Sequence, residues 1–146
     1  MLIASSTGGH FTQVNKIAAA LNKEDVAYLV EKHPSIMPKD DMYFLNMFNR
    51  KENFVKTIIA NTRISFHVLR KTKPKYIIST GAGAVIPCMI LGKLMGSKII
   101  FIESFAKVKS PTLTGRLMYF IADRFYVQWP DMQKVYKKAI YRGGLY

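Results

Sequence analysis

Apolar positions along the chain come in short runs separated by stretches of helical spacing. Runs at 2–5, 26–30, 43–46, 76–79, 98–103 and 124–128 have the length and β-branched or aromatic content of strands. Between them, amphipathic spacing predicts helices over 9–21, 53–72, 84–95 and 112–122, with a further short one at 131–137. This is the alternating rhythm of βαβ units, so the chain is expected to form one α/β domain over 1–146. Its sheet should be Rossmann-like and mostly parallel, with helices on both faces. The segment 31–41, carrying Pro34 and Pro38, is the one long irregular connection.

The runs are short enough to exclude a membrane span. The most apolar stretches, 84–91, 98–102 and 117–121, fall far below the roughly 20 residues that a transmembrane helix needs. An apolar strand is expected straight after Met1, and no signal peptide is expected ahead of it. That strand is short for the interior of a parallel sheet, which suggests that a few residues precede it.

Composition adds one unusual number. Twenty-two Lys and Arg against nine Asp and Glu leave a net charge of +13 on 146 residues, which implies a polyanionic partner: nucleic acid, a phosphorylated substrate or an anionic membrane. The basic residues are dispersed and match no nucleic-acid-binding motif, so a nucleic-acid partner is not expected. The single cysteine, Cys88, rules out an internal disulfide and reads as a small buried residue.

In a doubly wound sheet, ligands bind beyond the carboxyl ends of the strands. Three such turns carry chemistry. Ser5-Ser6-Thr7-Gly8-Gly9-His10 places small residues and two glycines where backbone N–H groups at a helix N-terminus can approach an anion. The same turn also fits a plain N-capped helix start. His10, in the first helical turn, could take a proton from a substrate hydroxyl or simply sit solvated. The second turn, Ser79-Thr80-Gly81-Ala82-Gly83-Ala84, opens into a helix interrupted early by Pro87. It lacks the full dinucleotide fingerprint and the Lys-Ser/Thr of a Walker loop, so no nucleotide cofactor is expected. The third places Glu103 at the end of a buried strand, where an acid needs a partner. It is a candidate for contact with a sugar hydroxyl or for a structural pair. Thr112 or Ser110 then caps the following helix.

On a helical wheel of 53–72, Phe54, Val55, Ile58, Ile59, Phe66, Val68 and Leu69 share one broad face, which reads as core. Lys56, Arg63, His67 and Arg70 gather opposite, and Lys71, Lys73 and Lys75 follow. This basic face is either simply solvated or a surface for anionic lipid. The stretch 93–98 could extend it.

These motifs resemble a known pattern. The three turns, with Ser110-Pro111-Thr112-Leu113-Thr114-Gly115-Arg116-Leu117 and Ala122-Asp123-Arg124-Phe125-Tyr126-Val127-Gln128-Trp129-Pro130, are similar to the PssD-type polysaccharide-biosynthesis proteins. Those in turn resemble the membrane-associated Alg subunit of the two-subunit UDP-GlcNAc transferase, and the N-terminal half of MurG-type transferases. The resemblance covers nearly the whole chain and implies half of a GT-B fold. This half would bind a polyprenyl-diphosphate-linked sugar, while a separate PssE-like subunit binds the UDP-sugar. It implies sugar transfer in exopolysaccharide, capsule or lipid-linked oligosaccharide biosynthesis, peripheral to the cytoplasmic face of the membrane, with neither metal nor cofactor. His10 and Glu103 would be catalytic, and Ser6, Thr7, Gly8, Gly9, Thr80, Gly81, Ala82 and Gly83 would hold the diphosphate. Lys56, Arg63, Arg70 and Lys71 would face the membrane, and Trp129, Tyr141 and Tyr146 would meet the partner. The alternative is a non-catalytic scaffold that recruits its partner to the membrane.

Overall fold

The computed structural model describes residues 1–21, 26–47 and 54–145. Seven strands form one sheet: β1 (Leu2–Ser5), β2 (Ala27–Glu31), β3 (Met42–Leu45), β4 (Tyr76–Ser79), β5 (Lys98–Ile102), β6 (Arg124–Val127) and β7 (Ile140–Tyr141). Their order is β3-β2-β1-β4-β5-β6-β7, and every neighbouring pair is parallel. The helices are α1 (Gly9–Ala19), α2 (Phe54–Thr72), α3 (Ile86–Leu94), α4 (Leu113–Ile121) and α5 (Met132–Val135), with a 3-10 turn over Gly83–Val85 ahead of α3. The Rossmann-like α/β expectation therefore holds. β7 has only two residues, too few for a periodic pattern, and was not expected. The helix expected over 84–95 divides into the 3-10 turn and α3, and Pro87 sits in the first turn of α3, where its missing N–H costs nothing.

Strand order decides which helices share a face. The chain moves one way along the sheet from β1 to β2, and the other way from β3 to β4, β5 and β6. Right-handed crossovers then place α1 on one face and α2, α3 and α4 on the other. Two separate apolar clusters agree. Ile3, Val14, Ala18 and Val26 pack under α1, while Leu2, Ala4, Ile77, Ile99 and Phe101 pack with Val68, Leu69, Cys88, Met89 and Met118 of α2 to α4. All four residues of β1 are buried, as expected for a strand covered on both sides. α3 can press close to β4 because Gly92 has no side chain; a methyl there would collide with Cδ1 of Ile77.

α2 overturns one expectation. Its buried residues are Asn61, Ser65, Val68 and Leu69, whereas Phe54, Val55, Ile59 and Phe66 are exposed, Val55 to 65%. The helix is rotated from the simplest apolar assignment because Asn61 belongs inside. Its side-chain oxygen accepts from the Asn46 amide at 2.8 Å and its nitrogen donates to the Asn46 carbonyl at 3.1 Å, so it satisfies the backbone just beyond β3. A fully bonded amide can be buried at little cost. The apolar residues on the other side are left in solvent among Lys56, Arg63 and Arg70.

Candidate functional site: a crevice at the sheet's switch point

The strand order reverses between β1 and β4, and the crevice lies beyond the carboxyl ends of those two strands. The first and second glycine turns leave from those ends. Thr80 joins them, its hydroxyl donating to the His10 carbonyl at 3.1 Å. Of the expected diphosphate-binding residues, Ser6, Thr80 and Gly81 are buried, Thr7, Ala82 and Gly83 half-buried, and Gly8 and Gly9 exposed.

The glycines differ in what they do. Gly8 caps α1 with φ 69 and ψ −138, a conformation that favours glycine, and no side chain caps the helix. A methyl at Gly9 would meet nothing within 4 Å and φ is ordinary there, so packing does not require that glycine. Its bareness leaves the N-terminus of α1 open to an approaching anion. Gly81 combines φ 116 with contact to His10: a methyl on it would sit 3.4 Å from Cε1 and 3.7 Å from Nδ1 of the ring. Ala82 holds φ 84 and ψ 162, a region otherwise left to glycine and costing about 1–3 kcal/mol.

His10 is half-buried, and its Nδ1 is shielded from solvent without a hydrogen bond among the described residues. Burial lowers its pKa below the ordinary 6.5, against the opposing pull of the Thr80 backbone and of the Glu103 and Glu31 carboxylates. The ring is therefore neutral at pH 7, the state that can accept a proton. It opens, with Gly9 and Gln13, on a cleft of about 400 Å³ whose far wall is Ser104, Phe105 and Ala106.

Of the two readings open for Glu103, the contacts favour the structural one. It is 1% exposed, and both carboxylate oxygens are engaged. One accepts from the Ser104 amide and the Thr112 hydroxyl, each at 2.9 Å. The other accepts from the Thr112 amide at 3.2 Å and the Tyr136 hydroxyl at 2.8 Å. Thr112 in turn caps α4 by accepting from the Gly115 amide at 2.7 Å, and Gly115 lies so close to the carboxylate that a side chain there would overlap it. Here the carboxylate ties together the two ends of the 104–112 loop, whose residues 104–106 wall the cleft, and each oxygen already accepts two hydrogen bonds. The structural-pair reading of Glu103 is the one the geometry carries.

Sequence reasoning missed the glutamine pair behind that wall. Nε2 of Gln128 donates to Oε1 of Gln13 at 3.0 Å and to the Glu103 carbonyl at 2.9 Å, while Oε1 of Gln128 accepts from the Leu145 amide at 3.0 Å. Gln13 stands one helical turn after His10, the only signal that could have drawn attention to it. Trp129 donates to the Phe105 carbonyl at 2.7 Å and packs on the Phe105 ring at 4.9 Å, so it braces the same loop. Tyr141 is exposed on the edge strand β7, and Tyr146 lies outside the described residues. The expected membrane residues Lys56, Arg63, Arg70 and Lys71 are all exposed on α2, with Arg70 5.7 Å above the Phe66 ring and Lys71 5.2 Å above that of Tyr43.

Fold and crevice together define a Rossmann-like domain with a cleft at the switch point, of the kind that forms half of a GT-B fold. MurG from Acinetobacter baumannii superimposes on it with a TM-score of 0.68 at 15% identity, over 89% of this chain and 42% of that one. The family described as "Oligosaccharide biosynthesis protein Alg14 like" matches residues 50–145, and the chain belongs to it. The human UDP-N-acetylglucosamine transferase subunit ALG14 is 22% identical over 181 residues, covering 99% of this chain and 82% of the human protein. The Schizosaccharomyces pombe protein of the same name is 43% identical over 75 residues, 48% of this chain and 36% of that protein. No described helix is long and apolar enough to cross a membrane.

Proposed function

We propose that this chain is the acceptor-binding subunit of a two-component GT-B-type glycosyltransferase. A separate PssE-like subunit would hold the UDP-sugar, and the acceptor would be a polyprenyl-diphosphate-linked sugar, used in exopolysaccharide, capsule or lipid-linked oligosaccharide assembly. The observation that carries the reading is the convergence of a neutral, desolvated His10 with the Gly8-Gly9 and Gly81–Gly83 turns at one crevice. The open N-terminus of α1 would face the diphosphate. His10 would accept the proton of the acceptor hydroxyl as it attacks the donor's anomeric carbon and the UDP departs toward the partner's side.

The exposed face of α2 supports peripheral attachment at the cytoplasmic face of the membrane. Val55, Ile59 and Phe66 stand among Lys56, Arg63 and Arg70, the mixture that seats an amphipathic helix at an anionic interface. Tyr141, on the edge strand, is offered as a partner contact together with Tyr146, and Trp129 as a brace of the loop at Phe105.

The test is His10→Ala in the reconstituted pair. A base contributes on the order of 10²–10⁴-fold to rate, so turnover should fall by that much with heterodimer formation and acceptor binding retained. Near-wild-type turnover would leave the chain a scaffold, a reading favoured by the engagement of Glu103 in the loop rather than in the cleft.

A further inference from the structure

The helical face that carries the second glycine turn also carries an apolar groove. Between α2 and α3 runs a channel of about 310 Å³, lined by Ile58, Thr62, Gly83, Pro87, Ile90 and Leu91, with Phe54 and Ile86 completing it. Among the described residues no charged side chain lines it. Gly83 belongs to both features: it is the last residue of the turn and the first wall of the groove. Ala82, in its strained conformation, sets the angle at which the chain passes from one into the other.

The features fall in a fixed order along the molecule. His10 touches Gly81, Gly81 precedes Gly83 by two residues, and the groove leads away from Gly83 toward Ile90, which is 36% exposed. A proton acceptor, a glycine turn and an apolar channel thus follow one another. A polyprenyl-diphosphate-linked sugar has the same order: reacting hydroxyl, diphosphate, hydrocarbon. We infer that the α2–α3 groove seats the first isoprene units of the acceptor, the part of its chain nearest the diphosphate. This rests on the reading of the glycine turns as the diphosphate site. The groove would measure the chain directly, apart from the bilayer contact made by the outward face of α2.

The experiment uses the heterodimer without membranes, with inorganic pyrophosphate, geranyl diphosphate, farnesyl diphosphate and uncharged farnesol as probes, binding being read by calorimetry. Burial of added methylenes should tighten binding from pyrophosphate to farnesyl diphosphate by about tenfold or more. Two substitutions address the groove without touching the turns: Thr62→Phe fills it and Ile90→Gln makes its open side polar. Both should erase the gain with chain length and leave pyrophosphate affinity and thermal stability unchanged. Persistence of the gain in both variants overturns the proposal, as does a wild-type protein that binds pyrophosphate with no gain from the prenyl chain. Farnesol separates the two layers of inference. If it binds and Thr62→Phe abolishes this while pyrophosphate does not bind at all, the groove stands and the diphosphate site falls. Vesicles of phosphatidylglycerol supply the last arm: equal binding by wild type and variants is expected, and loss in the variants would make the groove part of the general bilayer contact instead.

Discussion

Glu103→Gln separates a catalytic acid from a loop staple by the quantity that changes. The substitution keeps shape and volume but replaces one acceptor oxygen by a donor. Whichever way the amide turns, its NH2 faces one backbone amide and one hydroxyl: Ser104 with Thr112, or Thr112 with Tyr136. A hydroxyl can rotate and accept, but the amide cannot. At least one buried N–H is orphaned, costing about 1–3 kcal/mol, and the remaining bonds lose their charge-assisted part. A total of about 3 kcal/mol is expected. For a domain of this size that lowers Tm by roughly 10 °C, a large share of a stability of about 5–15 kcal/mol. Hydrogen exchange should locate the damage in the 104–112 loop and at the start of α4, and turnover should fall only as far as that loop loosens. Tyr136→Phe removes one of the four donors and should cost about 1 kcal/mol. A Glu103→Gln protein that melts within a degree of wild type yet loses turnover by 10²-fold would refute this reasoning and restore the carboxylate to the chemistry.

Three further outcomes follow from the same geometry. Because the folded His10 has a lowered pKa, the unfolded state takes up its proton first as pH falls; stability is complete above about pH 6.5 and declines as pH drops through the folded value. His10→Gln should flatten that part of a Tm-against-pH curve, and an unchanged slope would remove His10 from it. Ala82→Gly should raise Tm by a few degrees, since about 1 kcal/mol or more of backbone strain is relieved; a lower Tm would mean the conformation is not strained. Gly92→Ala should destabilise by about 1–3 kcal/mol through collision with Ile77, read by urea denaturation, and a neutral result would show that α3 shifts freely on β4.

Particular elements show what the sequence could and could not carry. β1 and β4 were legible to the residue because a run of small or β-branched residues between polar neighbours has one reading inside a parallel sheet. The order of glycine turns located the crevice, since strand ends and helix starts are local properties. Glu103 was not legible in the same way: its partners Thr112 and Tyr136 lie 9 and 33 residues away, and no local pattern announces that they converge. α2 was misassigned for the same reason. Asn61 looks like a surface residue until the backbone of Asn46 arrives beside it, and only then does the helix turn Val55 and Ile59 outward.

The position of β1 has a consequence for how the chain acquires its shape. β1 pairs with β2 about 25 residues along, but its other neighbour is β4, with Leu2 opposite Ile77 and Ala4 opposite Ser79. During synthesis at about 5–20 residues per second, the first strand therefore waits several seconds with one apolar edge unpaired. Closing so long a span costs only about 0.6 kcal/mol for each doubling of its length, so the delay is one of time more than of energy. The two glycine turns meet only when that seam closes, and the Ser104–Ala106 wall is tied down only once Tyr136 has followed. The crevice is thus among the latest parts of the molecule to form, and a nascent chain is exposed to misassociation in the interval before its site exists.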